Sequence, residues 1–545
     1  VSKLKSNFGF GLSPTVKYNR SRFNLAHGVK TTMNVGTLYP ISIQEVLPGD
    51  SFKSNVRVVA RVTSAFLKPV IDNCFMDIYH FYVPLRLCFD DAESIFGNPK
   101  PSSYTQDNFA TVPTLLGGTV SSGTVADYLG LPVGTVPDGI SVLPFRAFAL
   151  IYNQWFRNEN TVDEVYINTG SLGLSEVYNN NAWSPSNYLG KLPKVSKKKD
   201  YFTSCLPAPQ KGVSVPLPLG NIAPVVTGLQ NVTPSGNPLK WFTEDGSTFS
   251  DARDIVANAN TQTLGMPYTV SAQPNYIVPS NLYADLSSAT ASDVNQFRIA
   301  VQLQKMFEKD ARYGSRYNEY LLGHFGVISP DSRLQFTEFL GGGRVPIGVQ
   351  QVAQTSEATA TSPLANVGGY SLSNGKSYFN KGFVEHGYVI TVACIRQLHT
   401  YQQGVSKLFM RTERNDFYDP LFANIGEQPV YTSELFVNPN PSIGLKDDIF
   451  GYNEAWAEYR YAPSKITGQL RSNIGNTLDI WHFGDDYSAK PTLSQSFTDE
   501  DSTFVDRTLA VPSSSQDNFL CDFWFDTDAI RVMPTYSVPG LVDHH

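Results

Sequence analysis

The stretch SNVRVVARVTSAF, residues 54–66, alternates between apolar and polar side chains. An extended chain places successive residues on opposite faces, so Arg57 and Arg61 lie on the face opposite to the apolar residues. The apolar positions are Val56, Val58, Ala60 and Val62. This period of two, in a segment rich in valine, predicts a strand with one face in the core and one basic face.

Other strand patterns occur near both ends of the chain. They fall in residues 37–47, 73–85, 387–398, 476–483 and 519–534. Segment 73–85, NCFMDIYHFYVPL, is apolar on both faces, which is typical of a central strand covered on both sides. Because strands distant in sequence must pair, the pattern predicts a mainly β, antiparallel Greek-key sandwich or jelly roll.

Two segments have the helical period instead, at residues 145–157 and 293–310. Apolar stripes of this kind usually face the core, so we expect both helices to be packed there. The stripes consist of Phe145, Phe148, Ile151 and Trp155 in the first helix, and Phe297, Ala300, Val301, Leu303 and Phe307 in the second. Residues 212–285 show neither period, and a plain loop of that length is rare, which predicts an inserted subdomain.

The composition favours β structure with a weakly charged surface. Of 545 residues, 17% are charged and 12% are aromatic, with 41 Gly and 35 Pro. Such a surface is typical of a protein that covers its flanks with copies of itself or with a partner. No apolar run has the length of a membrane span and no signal-peptide segment is seen, so we expect folding in a cytoplasm and no membrane partner.

The five cysteines lie far apart and never form a Cys-x-x-Cys pair. They are Cys74, Cys88, Cys205, Cys394 and Cys521. Their odd number and spacing indicate buried free thiols in a reducing compartment.

Two glycine-containing motifs raise the question of a nucleotide site: FLGGGRVPI, residues 339–347, and SLSNGKSYF, residues 371–379. A P-loop needs four residues between its glycines and a helix after the Gly-Lys-Ser. Here five residues separate Gly369 from Gly375, and loop and strand patterns follow. We therefore interpret the glycines of FLGGG as a turning loop, and Arg344 within it has no assigned partner.

Other catalytic and metal signatures are missing from the sequence. There is no His-Glu-x-x-His and no Gly-x-Ser-x-Gly. The acid pairs Asp447-Asp448 and Asp485-Asp486 are interpreted as solvated loop residues. The sequence therefore predicts no catalytic residue, no metal site and no cofactor.

Basic residues concentrate at the start of the chain. The net charge is -7, yet no acidic residue precedes Glu45. The candidate DNA-binding residues are Lys3, Lys5, Lys17, Arg20, Arg22 and Lys30. Residues 1–36 are therefore either an ordinary frayed terminus or an arm that contacts phosphate.

Basic residues also lie at two places further along the chain. These are a loop with Lys191, Lys194, Lys197, Lys198 and Lys199, and the pair Arg312 and Arg316. Both groups are interpreted as solvated surface residues.

Several long segments, in matching order, closely resemble the major capsid proteins of gokushoviruses, the small single-stranded DNA phages of the Microviridae. The resemblance rests on HGVKTTMNVGTLYPISIQEVLPGDSF (27–52), FYVPLRLCFDD (81–91), LPFRAFALIYNQWFRNEN (143–160), DYFTSCLPAPQKG (200–212), ADLSSATASDVNQFRIAVQLQKMFEKDARYGSRYNEYLLGHFGV (284–327), FLGGG (339–343), AWAEYRYAPSKITGQLRS (455–472) and MPTYSVPGLVDHH (533–545).

This resemblance implies an eight-stranded antiparallel jelly roll with large loop and helical insertions. It implies a structural, non-enzymatic protein that assembles into a small icosahedral shell in the bacterial cytoplasm, around circular single-stranded DNA. A small separate basic DNA-binding protein of the virion would share the DNA, and inner aromatic residues would stack on unpaired bases.

The resemblance also suggests a division of the chain. Residues 1–36 would form the basic arm, 37–211 and 286–545 the two parts of the jelly-roll core, and 212–285 a protrusion at the threefold axes that contacts a host receptor. Two alternatives stay open, a secreted β-sandwich adhesin or carbohydrate-binding protein, and a hydrolase on a β scaffold. The first would usually carry a secretion signal and the second a catalytic constellation.

Overall fold

The computed structural model describes residues 19–72, 74–96, 110–170, 177–215, 294–314, 316–353, 355, 366–440 and 442–536, together with six short strands between 225 and 284. The strands are, in chain order, β1 (Ser21–Asn24), β2 (His27–Met33), β3 (Tyr39–Val46), β4 (Ser51–Val62), β5 (Cys74–Pro84), β6 (Thr114–Leu115), β7 (Gly118–Val120), β8 (Gly134–Val136), β9 (Ile140–Ser141), β10 (Val225–Thr227), β11 (Trp241–Thr243), β12 (Val256–Asn258), β13 (Thr263–Gly265), β14 (Ile277–Pro279), β15 (Leu282–Ala284), β16 (Glu338–Ile347), β17 (Val349–Ala353), β18 (Val367–Gly382), β19 (Gly387–Gln397), β20 (Gln428–Tyr431), β21 (Ile449–Asn453) and β22 (Phe519–Arg531).

Ten of these strands form two large antiparallel sheets. The six-stranded sheet has the order β1-β22-β4-β18-β17, with β2 also paired to β22, and the four-stranded sheet has the order β16-β5-β19-β3. Strand β1 pairs with one end of β22 and β2 with the other, so β1 and β2 lie end to end along the same edge.

The chain crosses between the two sheets at most of its connections. Strands β2, β4, β18 and β22 belong to the six-stranded sheet, whereas β3, β5, β16 and β19 belong to the four-stranded sheet. This topology is a jelly roll and confirms the predicted fold class. The two sheets hold ten described strands, not eight, because β1 and β2 share one edge of β22 and β17 adds a short strand beside β18.

The interior between the sheets is built from the alternation seen in the sequence. On β4 the predicted apolar face is buried, with Val56 fully enclosed and Val58 1% exposed, while Arg57 and Arg61 are exposed. Facing side chains from the other sheet include Met76 and Ile78. Strands β3, β5, β19 and β22 also form as predicted.

The second face of the four-stranded sheet is covered by helices. Phe81 and Val83 of β5 share a buried cluster with Phe145 and Phe148 of helix α4 (Leu143–Ile151), which explains why β5 is apolar on both faces. Helix α4 continues into a five-residue π-helix, Tyr152–Phe156, so the helix expected at 145–157 is confirmed. The α-helices are α1 (Leu85–Cys88), α2 (Ala92–Phe96), α3 (Val125–Tyr128), α4 (Leu143–Ile151), α5 (Val294–Tyr313), α6 (Tyr317–Phe325), α7 (Asp331–Leu334), α8 (Thr432–Leu435), α9 (Gln495–Thr498) and α10 (Thr503–Asp506). All five cysteines are free and buried, as expected.

Three sequence-based expectations about local structure are wrong. Helix α5 forms, but its stripe is only partly buried: Ala300 is 8% exposed, whereas Leu303 is 36% and Phe297 48% exposed. Residues 476–483 contain a 3-10 turn, Asp479–Trp481, not a strand, because Thr477 Oγ1 accepts a hydrogen bond from the Asp479 amide and favours a turn. The third error concerns the glycine motifs.

The FLGGG motif is a strand and not a loop. It lies in β16, which pairs with β5, and the Gly-Lys-Ser motif lies in β18 of the other sheet. The two motifs face each other across the sandwich. A Cβ on Gly343 would lie 2.6 Å from the Lys376 carbonyl oxygen, and a Cβ on Gly375 would overlap the Val345 side chain. These glycines therefore allow the two backbones to approach closely.

Residues Gln210–Lys309 form a second compact unit by themselves. Its described strands pair in nested antiparallel fashion, β10 with β15, β11 with β14 and β12 with β13. Apart from these strands and residues 212–215, the insertion expected at 212–285 lies outside the described residues. Within the described part of the chain, no helix has the length and apolar character needed to cross a membrane.

A buried ionic cluster links the segment after β19 to the loop at 191–199. His399 Nδ1 lies 2.7 Å from Asp485 and its Nε2 lies 3.2 Å from Glu500, while Lys197 Nζ lies 3.5 Å from Asp485. Burial by itself lowers the pKa of His399, but the two carboxylates raise it to about 10. Asp485 is fully buried, so its expected solvation is wrong, because it has cationic partners inside the protein.

We expect the substitution Gly343→Ala to destabilise the jelly roll. The added Cβ would force β16 away from the Lys376 carbonyl, at a cost of about 1–3 kcal/mol. Gly348→Ala is the matched control, because a Cβ there meets nothing within 4 Å. Thermal unfolding of the two variants measures the difference, and equal melting temperatures would contradict the close-packing argument.

The His399 cluster predicts a pH-dependent contribution to stability. Its raised pKa means that the native state binds a proton that the unfolded state releases above pH 6.5, so the contribution is complete below 6.5 and is lost by about pH 10. Denaturant unfolding at several pH values should give a smaller decrease over this range for His399→Gln than for the unsubstituted chain. Parallel pH profiles would show that His399 is not charged in the native state.

Candidate nucleic-acid interface

The outer face of the six-stranded sheet is open to solvent. Strand register places Lys30, Asp522, Val59 and Asn374 in one row across the sheet. In the neighbouring row Gly28, Trp524, Arg57 and Lys376 lie side by side. Because directly paired residues point to the same side, all of these side chains project from the surface opposite to the core.

Basic side chains outnumber acidic ones on this surface, which we call the outer sheet face. Six are basic, Arg22, Lys30, Lys53, Arg57, Arg61 and Lys376, and three are acidic, Asp522, Asp526 and Asp528. The whole chain carries a formal net charge of -7, so the outer sheet face is locally positive on an acidic protein. Positive charge of this kind attracts phosphate.

Aromatic rings are interleaved with these cations. Trp524 is 50% exposed and lies over Gly28, where an added Cβ would come within 3.3 Å of its ring, and Tyr378 is 48% exposed. Trp524 is a direct cross-strand neighbour of Arg57, which is in turn paired with Lys376. Exposed rings beside basic side chains are the combination that binds single-stranded nucleic acids, through base stacking and phosphate contacts.

The structure describes three of the six candidate arm residues. Arg20 and Lys30 are exposed. Arg22 donates to Asp528, with Nε 3.1 Å from Oδ1, and this hydrogen bond lowers the pKa of the carboxylate. Lys3, Lys5 and Lys17 lie outside the described residues. Within the segment expected to be an arm, residues 1–36, strands β1 and β2 are hydrogen-bonded to β22 and so belong to the sheet.

Three of the seven other singled-out cations are buried or paired with acids. Lys197 is buried, Arg312 pairs with Glu427 at 2.9 Å, and Arg316 pairs with Glu159 and Glu319. Lys191, Lys194, Lys198 and Lys199 are exposed, as expected.

Arg344 is paired within its own chain. Its Nε lies 2.6 Å from Asp77, which Arg396 also contacts at 2.7 Å. Burial raises the pKa of Asp77, but the two guanidinium groups more than offset this effect and lower it. The side chain that lacked a partner in the sequence therefore links β16 to β5.

Comparison with known proteins decides the family. The model of the family described as "Capsid protein (F protein)" matches residues 13–541. The chain is 38% identical over 541 residues to capsid protein VP1 of Bdellovibrio phage phiMH2K, which covers 97% of each chain. It is 37% identical over 587 residues to capsid protein VP1 of Chlamydia phage 1, covering 98% of this chain and 97% of the relative. For capsid protein VP1 of Spiroplasma virus 4 the identity is 38% over 539 residues, covering 96% and 95%.

The chain belongs to this capsid family. It is a structural major capsid protein of a Microviridae phage, a virion component that assembles into an oligomeric shell. The resemblance found in the sequence is therefore confirmed.

Sequence reasoning missed part of the outer sheet face of the capsid protein. Arg57 and Arg61 were visible as the polar positions of an alternating strand, and Trp524 occupies an outward position of the same kind in FLCDFWFDTDAIR. Lys53 continues the outward alternation of β4 before Arg57. Lys376 and Tyr378 gave no signal, because their place beside Arg57 and Asn55 depends on strand register.

Proposed function

We propose that this capsid protein forms a small icosahedral shell around a circular single-stranded DNA genome and that its outer sheet face contacts the DNA. Its role is structural, with no catalytic step. The observation that carries the proposal is the excess of basic residues interleaved with Trp524 and Tyr378 on an exposed sheet. The adhesin alternative is not supported, since the relatives that match nearly the full chain are capsid proteins.

The chemistry of this face suits DNA without sequence preference. Arg57, Arg61 and Lys376 offer positive charge to phosphates, and release of the counterions that those phosphates hold favours binding. Trp524 and Tyr378 offer flat rings on which any base can stack, since every base has a π face. Arg20, Lys30 and the basic residues before them would add to the contact.

The remaining charge must come from elsewhere. A subunit with a net charge of -7 cannot neutralise a genome, so a small basic virion protein or polyamines would supply the rest. We further propose that assembly takes place in the bacterial cytoplasm and that the insertion at 212–285 projects from the shell and contacts a host receptor.

The DNA contact predicts a change in salt dependence. Replacing Arg57, Arg61 and Lys376 with Gln should reduce the slope of log K against log salt by about 2, since each phosphate contact to single strands contributes about 0.7. Fluorescence anisotropy with a labelled oligothymidylate at several salt concentrations measures the slope.

A matched variant tests whether position matters as well as charge. Arg333, Arg414 and Lys465 are exposed cations on elements other than the six-stranded sheet, and their replacement with Gln removes the same charge. We expect this control to keep most of the slope. Equal slopes for both variants and the unsubstituted protein would refute the proposed interface.

The insertion gives a separate prediction. Exchange of residues 221–280 for the corresponding segment of a relative should alter attachment to host cells while particles still form. Electron microscopy of the particles and an adsorption assay on host cells measure the two effects. Loss of particles would show that the segment holds the shell together.

A further inference from the structure

A cavity of about 410 Å³ lies beside the outer surface of the four-stranded sheet, near the β16 edge. Its walls come from β5, β16, the π-helix after α4, and the loop at 196–199. The volume lies within the range of about 300–1,000 Å³ that small-molecule sites occupy. The cavity is on the other side of the sandwich from the outer sheet face, so it is a separate site.

One wall of the cavity is aromatic. Phe81 packs against Trp155 and Phe339 with ring-centroid distances of 5.3 and 5.6 Å, and Trp155 and Phe339 are 5.9 Å apart. Trp155 Nε1 donates to Thr337 Oγ1 at 2.8 Å, which fixes the orientation of the indole. Trp155 remains 36% exposed and Phe339 44% exposed, so the wall presents ring surface to a ligand.

The opposite part of the lining is cationic. It includes Arg157, Lys198, Lys199, Arg316 and Arg396, and among the described lining residues Glu159 is the sole acid. Arg316 is already paired with Glu159, and Arg396 with Asp77. Lys198 and Lys199 are exposed and free of side-chain partners in the described part of the chain. The unneutralised charge therefore comes mainly from these two lysines.

Two guanidinium nitrogens add unused donors. The Nε atoms of Arg157 and Arg396 are buried and donate to no protein atom among the described residues. Buried donors are normally satisfied, so these two leave hydrogen-bonding capacity unused behind the cavity lining, although a water molecule does not reach them and they are not direct ligand contacts. The Arg157 guanidinium is held in place because one of its terminal nitrogens donates to the Val162 carbonyl at 2.8 Å.

The basic loop is held so that Lys198 and Lys199 face outward. Lys197, the residue before them, turns into the protein and pairs with Asp485 at 3.5 Å. The Lys197 amide donates to the Thr498 carbonyl at 2.8 Å, which fixes the backbone. The two free cations are therefore attached to an ordered anchor.

We propose that this cavity binds a nucleoside monophosphate unit. The base lies against Trp155 and Phe339, and the phosphate is bound by Lys198 and Lys199 with Arg157 beside them. A flat ring joined to a negatively charged phosphate matches an aromatic wall next to free cations better than an acidic peptide does, because a peptide carboxylate leaves the wall uncovered. The unit is either a free nucleotide or one nucleotide of a DNA strand.

Isothermal titration of the full chain with deoxyadenosine monophosphate tests the proposal. We expect binding at least tenfold tighter than that of deoxyadenosine or inorganic phosphate, since each lacks half of the contacts. The double variant Lys198→Gln/Lys199→Gln should bind about tenfold more weakly, because charge-assisted contacts are lost. Phe339→Ala should also weaken binding of the nucleotide.

The neighbouring lysines provide the control. Lys191→Gln/Lys194→Gln removes two exposed charges from the same loop without touching the cavity and should leave binding unchanged. Absence of nucleotide binding, equal binding by both double variants, or phosphate binding as tight as the nucleotide would each overturn the proposal. Binding of an acidic peptide in place of the nucleotide would overturn it too.

Competition with an oligothymidylate identifies the source of the nucleotide. If the oligonucleotide displaces the mononucleotide, and still does so in the variant with Arg57, Arg61 and Lys376 replaced, the cavity accepts a nucleotide of a strand. If the oligonucleotide does not displace the mononucleotide, the ligand is a free nucleotide. Because this cavity and the outer sheet face are altered by different substitutions, failure of one proposal leaves the other intact.

Discussion

The separation of the two sheets depends on glycine at the edge where β16 faces β18. Gly343 leaves room for the Lys376 carbonyl, and Gly375 leaves room for the side chain of Val345. With this edge closed, Val345 and Ile347 join the interior cluster that β4 and β22 also line. Backbone contact at this edge replaces the side-chain layer that separates the sheets elsewhere, and the sandwich is thereby closed on one side.

The difference between side-chain packing and close backbone contact explains which strands can be predicted from sequence. Strands β3, β4, β5, β19 and β22 carry apolar residues on their inward face, so their period is visible. Four successive inward positions of β18, Ser371, Ser373, Gly375 and Ser377, carry no large apolar side chain, and three consecutive glycines interrupt β16. A strand that meets its neighbour through the backbone has no hydrophobic period to detect.

Sequence could predict those parts of the outer sheet face that follow from the alternation within a single strand. Alternation alone placed Arg57 and Arg61 outside, but the row that joins Trp524, Arg57 and Lys376 brings together three distant parts of the chain. The ionic pairs also join residues that are far apart in the sequence and could not be predicted from it. Asp77, for example, is 267 positions from Arg344. Burial of Asp485 could not be anticipated, since its neighbour Asp486 is exposed and only the fold brings His399 to it.

The two positive surfaces of the protein cannot both face the genome in every orientation of the subunit within a shell. The outer sheet face and the cavity at Trp155 lie on opposite sides of the sandwich, and a thin shell has one inner surface. If the sandwich lies flat with the outer sheet face toward the genome, the cavity opens to the exterior or to a neighbouring subunit and takes a free nucleotide. If it stands on edge, one strand of DNA can reach both. The source of the nucleotide therefore reports the orientation of the jelly roll in the particle.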